Sequence, residues 1–253
     1  MWLVLIAFCI ALLFLRLPGA FAAELTREEV QGVLSTASSE HGASFAGRSL
    51  AGLDLHELDF TGADLSGADL SDADLRGAKL VASKLVGARL SRARLNLAWI
   101  MRADFSHADL SDAVLETLIV SAGLETRPEE AASFVEANLS GAKVTARFSL
   151  DDMTGANLSH LRASADMRNQ SMGLIRADFS RATLTGANFE GAALAHVNFE
   201  FAKLQRTNFS RADLSDADFA GADLTNADLT GSNTARADFN SAILTGTAGL
   251  RPP

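Results

Sequence analysis

The sequence predicts an all-β solenoid, a fold in which the chain winds through many short and similar coils. Three observations predict it. In two long stretches of the 253-residue chain an apolar residue occupies every fifth position, Ala recurs two positions before it, and the other positions are mostly polar or Gly. A period of five fits neither an α-helix, with a period of about 3.6, nor a flat strand, with a period of about 2. The chain must therefore bend after each unit, with the apolar residue and the Ala pointing inward.

The first element is an N-terminal leader over residues 1–22. An apolar run at 2–15 is followed by an A-x-A motif at 20–22. The run has the length of a signal-peptide core and is shorter than the roughly 20 residues that span a bilayer. We expect a cleaved signal peptide, and therefore a periplasmic or secreted protein with no stable membrane span after cleavage. No Lys or Arg precedes the run and Arg16 follows it, so an uncleaved N-terminal membrane anchor or a mis-assigned start Met stays open.

Residues 23–42 are predicted to form an N-terminal capping helix and a linker. Thr26 and Glu29 make a T-x-x-E capping box, and apolar residues then recur at the spacing of one helical face. These signals predict a helix near 27–37. A short helix with one apolar stripe needs a surface to pack on, and the open first coil of a solenoid supplies that surface.

The solenoid itself is predicted over residues 43–253. All sixteen central positions from Phe45 to Val120 are apolar, which chance would give in roughly one of 10⁵ sequences of this composition. A second run goes from Leu174 to Leu244, and only Thr234 breaks it. The period is therefore a property of the fold.

Two segments depart from the pattern. Residues 121–133 interrupt the repeat and contain Pro128, and residues 160–173 are predicted to be irregular because their phase cannot be assigned. Between them the repeat resumes at Phe134, and a one-residue deletion precedes Phe148. Insertions in solenoids form surface loops, and these often border a binding face.

Several units resemble the pentapeptide-repeat proteins: A-D-L-S-G at 63–67, A-D-L-S-D at 68–72 and A-N-F-E-G at 187–191. The resemblance covers roughly 43–120 and 174–246. It implies a right-handed quadrilateral β-helix with four pentapeptides to a coil. The predicted fold is therefore all-β, a pentapeptide-repeat solenoid with a short N-terminal capping helix.

Four units to a coil would stack residues that lie 20 positions apart, about 4.8 Å from each other. Phe residues then form a column in the second run: Phe179, Phe199, Phe219 and Phe239. Basic residues of one coil then face acidic residues of the coil before it: Lys79 over Asp59, Lys84 over Asp64, Arg89 over Asp69, and Arg94 over Asp74. Opposite charges that face each other stabilise a sheet by about 0.2–1 kcal/mol a pair. We interpret the basic run as a structural ladder and not as a nucleic-acid site.

No residue pattern predicts catalysis. The five His residues are scattered without metal-ligand spacing, the only Cys lies in the leader, and no nucleotide-binding or nucleophile motif occurs. We therefore expect no catalytic, cofactor-binding or metal site, no cofactor, and no enzyme. The formal charge of -9 disfavours direct nucleic-acid binding.

The candidate partner surface is Trp99, Val114 and Ile119, three apolar residues at the outward position before a centre. Exposed apolar clusters usually have a partner or a cover. Residues 121–133 could fold back over the cluster with Leu124 as the anchor, or the cluster could be an open patch for a protein.

We expect an exported, non-catalytic scaffold with a structural or protein-binding role and a protein partner of unknown identity. Oligomerisation is left open. Two alternatives follow from the family and the leader. Some pentapeptide-repeat proteins are DNA-mimicking topoisomerase inhibitors, which requires an acidic surface and a cytoplasmic protein. The other alternative is a secreted effector that acts on a host cell.

Overall fold

The structure is a computed structural model that describes residues 23–37, 42–123, 126–164 and 176–250. Its regular elements are one α-helix, α1 (Arg27–Thr36), a 3₁₀ helix (Pro128–Glu130) and two parallel strands, β1 (Val114–Glu116) and β2 (Lys143–Thr145). The rest of the described chain winds as a repeat β-helix through single-residue bridges. The signal peptide predicted at 1–22 lies outside the described residues.

Parallel bridges join residues 20 positions apart, as in the series Asp64, Lys84 and Asp104. Each bridge has two backbone hydrogen bonds. The N–H of Phe199 donates to the carbonyl of Asp218 at 2.7 Å, and the N–H of Asp218 donates back to the carbonyl of Val197 at 2.9 Å. Four repeats therefore make one coil, and the predicted 20-residue stacking is confirmed.

Most corners between two repeats are closed locally. The N–H of Ala202 donates to the carbonyl of Phe199 at 3.0 Å, and the corner residue between them, Phe201, has a φ of 56°. The residue before the centre closes the corner from outside, as where Asp64 Oδ1 accepts the N–H of Ser66 at 3.0 Å. Asp and Asn are common at that position because their short side chains reach the N–H two residues on.

The core consists of the central residues and the Ala residues two positions before them. The ring centroids of Phe199 and Phe219 lie 5.0 Å apart in a stacked arrangement, and Phe199 meets Phe189 edge-on across the interior at 5.8 Å. The rings of Phe219 and Phe239 continue the column at 5.1 Å. The predicted Phe column is confirmed, and it leaves the interior filled with side chains.

Helix α1 covers the first coil. Thr26 and Glu29 form the predicted capping box, and Val30 is fully buried against the core. The Arg27 guanidinium fixes the helix by donating to the carbonyls of Asp54 at 2.5 Å and His56 at 3.0 Å. The predicted capping helix is confirmed.

The predicted charge ladder is confirmed as stacking: all four pairs are bridged neighbours, including Lys84 and Asp64, and three of the four also form ion pairs. Its ion pairs between neighbouring coils are Lys79–Asp59 at 3.3 Å, Arg89–Asp69 at 2.8 Å and Arg94–Asp74 at 3.8 Å. Asp69 is buried, but the other side chains of these pairs are at least partly exposed, so the Lys79–Asp59 and Arg94–Asp74 pairs contribute little to stability. In this arrangement one coil of basic residues lies between two coils of acidic residues.

The register changes in the middle of the chain. Asp104 bridges Ser133 across 29 positions instead of 20, which reflects the insertion at 121–133. Ser133 bridges Asp152 across 19 positions, which reflects the predicted one-residue deletion. The irregular stretch predicted from His160 begins later, because Arg162 bridges Ala193. The sequence pattern missed this repeat because its centre is Ala163, which is too small to be read as an apolar centre. Residues 165–175, with the predicted start of the second run at Leu174, lie outside the described residues.

Candidate partner surface

One series of bridged outward residues, the interrupted ladder, runs along a single side of the β-helix. Its members are Asp59, Lys79, Trp99, Ile119, Arg147, Asp178, Asn198, Asp218 and Asp238. The bridges run continuously from Asp59 to Ile119 and from Arg147 to Asp238, but the structure gives none between Ile119 and Arg147. This side therefore contains both a break in the backbone ladder and two of the three predicted surface residues.

Trp99 and Ile119 are direct neighbours in the interrupted ladder, as predicted from their separation of 20. Val114 lies one side away, in β1, where it bridges Arg94 and pairs with Lys143. All three side chains are half-buried. The structure thus brings Trp99 and Ile119 together and places Val114 on the adjoining side between two basic residues.

The break removes two backbone hydrogen bonds. The last bond before it joins the N–H of Thr117 to the carbonyl of Thr145 at 3.2 Å. In the regular pattern the N–H of Val120 would donate to the carbonyl of Arg147, and the N–H of Arg147 to the carbonyl of Leu118. Neither bond forms among the described residues. The deletion before Phe148 shortens the chain at this corner, which accounts for the separation of the two coils.

A groove of about 380 Å³ opens at the break, and we call it the ladder groove. Residues 117–121 line it from one coil and residues 145–147 from the next, with Gly123 and Arg176 at its edges. Its apolar wall comes from Leu118, Ile119, Val120 and Ala146. Among the described residues, the charged ones that line it are Arg147 and Arg176.

A second groove of about 310 Å³, the corner groove, lies on the other side of Arg147. Thr126, Ser149 and Ser180 supply hydroxyl groups to it, and Phe201 supplies an exposed ring. Its remaining lining residues are Leu150, Asp178, Arg181 and Glu200. Acids and bases occur together here, whereas the described lining of the ladder groove has charges of one sign.

The described part of the insertion is held by Glu130. Its carboxylate accepts hydrogen bonds from the Ser121 hydroxyl at 2.8 Å, from the N–H of Arg127 at 3.2 Å and from the N–H of Ala122 at 3.3 Å. The Ser121 hydrogen bond is the main reason why the pKa of Glu130 is lowered. The backbone carbonyl of Glu130 also accepts the N–H of Arg102 at 2.9 Å. The insertion is thereby fastened to the corner beside Trp99. Leu124, the expected anchor of a cover, lies outside the described residues, and the cover stays a prediction.

Asp151 lies at an inward position, two residues before the centre Met153, where the repeat normally has Ala. Its Oδ1 accepts the N–H of Ala132 at 2.8 Å, and its Oδ2 has no hydrogen-bond partner among the described residues. The side chain is almost wholly buried, and this burial raises the pKa of Asp151 to about 8, although the bond from Ala132 opposes the shift. At a regular corner the N–H of the Ala would bond to the preceding central carbonyl, as Ala137 does with Phe134 at 3.0 Å. Asp151 therefore replaces a corner bond that the insertion removes.

The described residues contain neither a metal-binding cluster nor a membrane-spanning helix. No group of His, Cys, Asp and Glu side chains there could hold a metal ion. Nor does the described part of the chain contain a helix that is long and apolar enough to cross a membrane.

The family described as pentapeptide repeats matches the chain in 8 copies. The matched ranges are 41–77, 73–116, 174–211, 192–231 and 207–246, and together they cover more than half of the chain. No curated protein matches the chain.

Solved structures of pentapeptide repeat proteins are similar to the chain. HetL, a pentapeptide repeat protein involved in heterocyst differentiation regulation from the cyanobacterium Nostoc sp. strain PCC 7120, is 30% identical over 88% of this chain and 96% of its own, with a TM-score of 0.46. Trypsin-treated QnrB1, a plasmid-mediated fluoroquinolone resistance protein, is 23% identical over 77% of this chain and 83% of its own, with a TM-score of 0.40. A pentapeptide repeat protein from the Arabidopsis thaliana thylakoid lumen is 28% identical over 48% of this chain and 72% of its own, with a TM-score of 0.27.

Proposed function

The chain belongs to the pentapeptide repeat family, and on that premise we propose that it is an exported, non-catalytic scaffold that binds a protein partner through the interrupted ladder. The observation that carries the proposal is the pair Trp99 and Ile119. They are half-buried apolar residues at a position that is otherwise mostly charged or polar, and they lie next to the break in the ladder. A scaffold of this kind presents its side chains to a partner and needs no cleft for chemistry.

The filled interior supports a non-catalytic role. The central residues in the middle of the β-helix, such as Phe199 and Phe209, are fully buried, and their rings meet edge-on across the interior at 5.6 Å, which leaves little room for a substrate. The two grooves are open surface features and not enclosed clefts. Members of this family are generally non-catalytic scaffolds.

The arrangement of charge favours a scaffold over a DNA mimic. A DNA mimic needs a continuous acidic surface, but Lys79, Arg89 and Arg94 interrupt the aspartates of the first block and pair with them. Many aspartates also close corners, as Asp64 does. The acidic residues thus have structural roles that account for their number. Export is supported by the leader at 1–22. We propose that the β-helix is right-handed and four-sided, as the family resemblance implies.

The partner surface is tested with the double variant Trp99→Asn and Ile119→Asn, since Asn is common at this position of the repeat. The matched control is Val86→Asn, which removes an exposed apolar residue from another corner. Tagged chains are cross-linked in the producing cells, and the cross-linked proteins are compared by mass spectrometry. We expect one partner to be lost from the double variant and kept by the control, with the same melting temperature for both. If the double variant keeps every partner of the parent, this surface is not the binding site.

Export is tested separately by cell fractionation and N-terminal sequencing. We expect mature protein that starts at Ala23 outside the cytoplasm. Protein that starts at Met1 and stays in the cytoplasm would show that the chain is not exported.

A further inference from the structure

We propose that the ladder groove binds an extended, acidic segment of the partner protein, which adds to the open backbone of the β-helix as a strand. This inference rests on the proposed function, because it names the kind of partner segment that the interrupted ladder takes. Three features of the groove lead to it: backbone groups and arginines that have no partner among the described residues, and an apolar wall.

Four backbone groups in the ladder groove have no partner among the described residues. The N–H groups of Val120 and Arg147 and the carbonyls of Leu118 and Arg147 form no hydrogen bond among the described residues, although they belong to the same ladder as the regular bridges. Backbone groups without a partner favour pairing with another strand, and an extended peptide is the ligand that offers donors and acceptors in alternation. A small anion would leave the two carbonyls without a donor.

The charge of the groove selects the peptide. Arg147 and Arg176 make no ion pair with any described residue, whereas most basic residues of the first block are paired with aspartates. The chain as a whole has a formal charge of -9, so two arginines with no ion pair among the described residues are a local reversal of sign in this groove. Arginine binds carboxylates through two parallel hydrogen bonds, which suits Glu or Asp side chains of a partner.

The apolar wall fits the alternation of an extended strand. In such a segment successive side chains point to opposite faces, so residues of one face can contact the half-buried Ile119 while those of the other face reach the arginines. Ile119 also joins the groove to Trp99. The partner surface predicted from the sequence and the ladder groove are therefore one continuous site.

The probe is a short, acetylated and fluorescently labelled peptide of alternating Glu and Val, and its binding to the full chain is measured by fluorescence anisotropy. We expect saturable binding that weakens as salt is added. Arg147→Gln should weaken it at least about tenfold, because one charge-assisted contact is lost. Arg206→Gln, which removes an exposed arginine that also lacks an ion pair, should leave the affinity unchanged.

Hydrogen exchange tests the backbone contact directly. Bound peptide should slow amide exchange in segments 117–121 and 145–148 and not in the coils further away. A peptide with the same side chains but N-methylated backbone should bind at least about tenfold more weakly, since it cannot donate to the carbonyls of Leu118 and Arg147.

Four results would overturn the proposal: no binding of the acidic peptide, equal binding of the N-methylated peptide, full competition by inorganic phosphate, or tighter binding of a single-stranded oligonucleotide. Equal binding or phosphate competition would mean a simple anion site, and the oligonucleotide result a nucleic-acid site. The cross-linking comparison of the Trp99 and Ile119 variant decides the scaffold function independently. A partner that is lost there, together with no peptide binding here, would leave the scaffold proposal standing and remove only this inference.

Discussion

Replacing Asp151 by Asn should remove most of the pH dependence of stability between pH 3.8 and about 8. Burial raises the pKa of this carboxyl from 3.8 to about 8 in the folded chain, and unfolding returns the group to water. The folded chain therefore keeps a proton that the unfolded chain releases, so stability falls as the pH rises through this interval. The stabilising contribution of the neutral carboxyl is complete below pH 3.8 and is lost by about pH 8.

The size of the effect follows from the pKa difference. Each pH unit in the interval lowers the free energy of unfolding by about 1.4 kcal/mol, and the accumulated loss is on the order of 5 kcal/mol. A single domain has a total stability of about 5–15 kcal/mol, so the loss is large. The loss of stability cannot exceed the free energy of opening the corner at Asp151 and Ala132, because that opening admits water to the carboxylate without global unfolding. Asn keeps an oxygen for the N–H of Ala132 and does not ionise.

The assay is urea unfolding followed by circular dichroism at a series of pH values, for the parent, Asp151→Asn and the control Asp152→Asn. Asp152 is exposed, and its Oδ1 accepts the N–H of Thr154 at 3.0 Å, which Asn can also do. We expect the stability of the parent and of the control to fall together with rising pH, while Asp151→Asn changes much less. Parallel curves for the parent and Asp151→Asn would show that the carboxyl is already ionised in the folded chain, and the buried corner would be wrong.

Three further changes test other parts of the structure. Phe199→Ala should cost about 3–5 kcal/mol of stability, because it opens a cavity within the Phe column; an unchanged melting temperature would contradict the inward position of the ring. Lys84→Glu places a third acid in a ladder of two aspartates and should lower the melting temperature more at low salt than at high salt; a mutant that melts like the parent at low salt would argue against neighbours 20 positions apart. Deletion of 122–132 should increase hydrophobic-dye binding and shift the emission of Trp99 to the red, measured with Trp2 replaced by Phe; no change in either signal would mean that the insertion does not cover Trp99.

The fold could be predicted from the sequence because one short unit repeats many times. Every unit gives the same indication of which repeat positions point inward, so one atypical residue does not change the prediction. The pairing of Trp99 with Ile119 followed from the same spacing. A unit with unusual residues is harder to recognise: Ala163 is a true centre, but a small residue there is indistinguishable from the Ala that precedes other centres.

The candidate site was predicted only in part. The apolar residues Trp99 and Ile119 were visible as exceptions to a polar position. Arg147 was not, because a basic residue is ordinary at that position and only the lost hydrogen bonds make it a groove residue. The four-residue spacing from Val144 to Phe148 was the available signal, but a spacing does not say which backbone bonds are lost. Asp151 had a clearer signal, an acid two positions before Met153 where the pattern expects Ala.

The break between Ile119 and Arg147 also has a mechanical consequence. In a solenoid each coil is held only by its neighbours, so resistance to a pulling force depends on the weakest contact between coils. Two backbone bonds are lost at this contact, while β1 and β2 and the stacked rings of Phe105 and Phe134 still join the same coils. A chain stretched from both ends in an optical trap should therefore yield first here, and a strand bound in the groove would raise the force at which it yields.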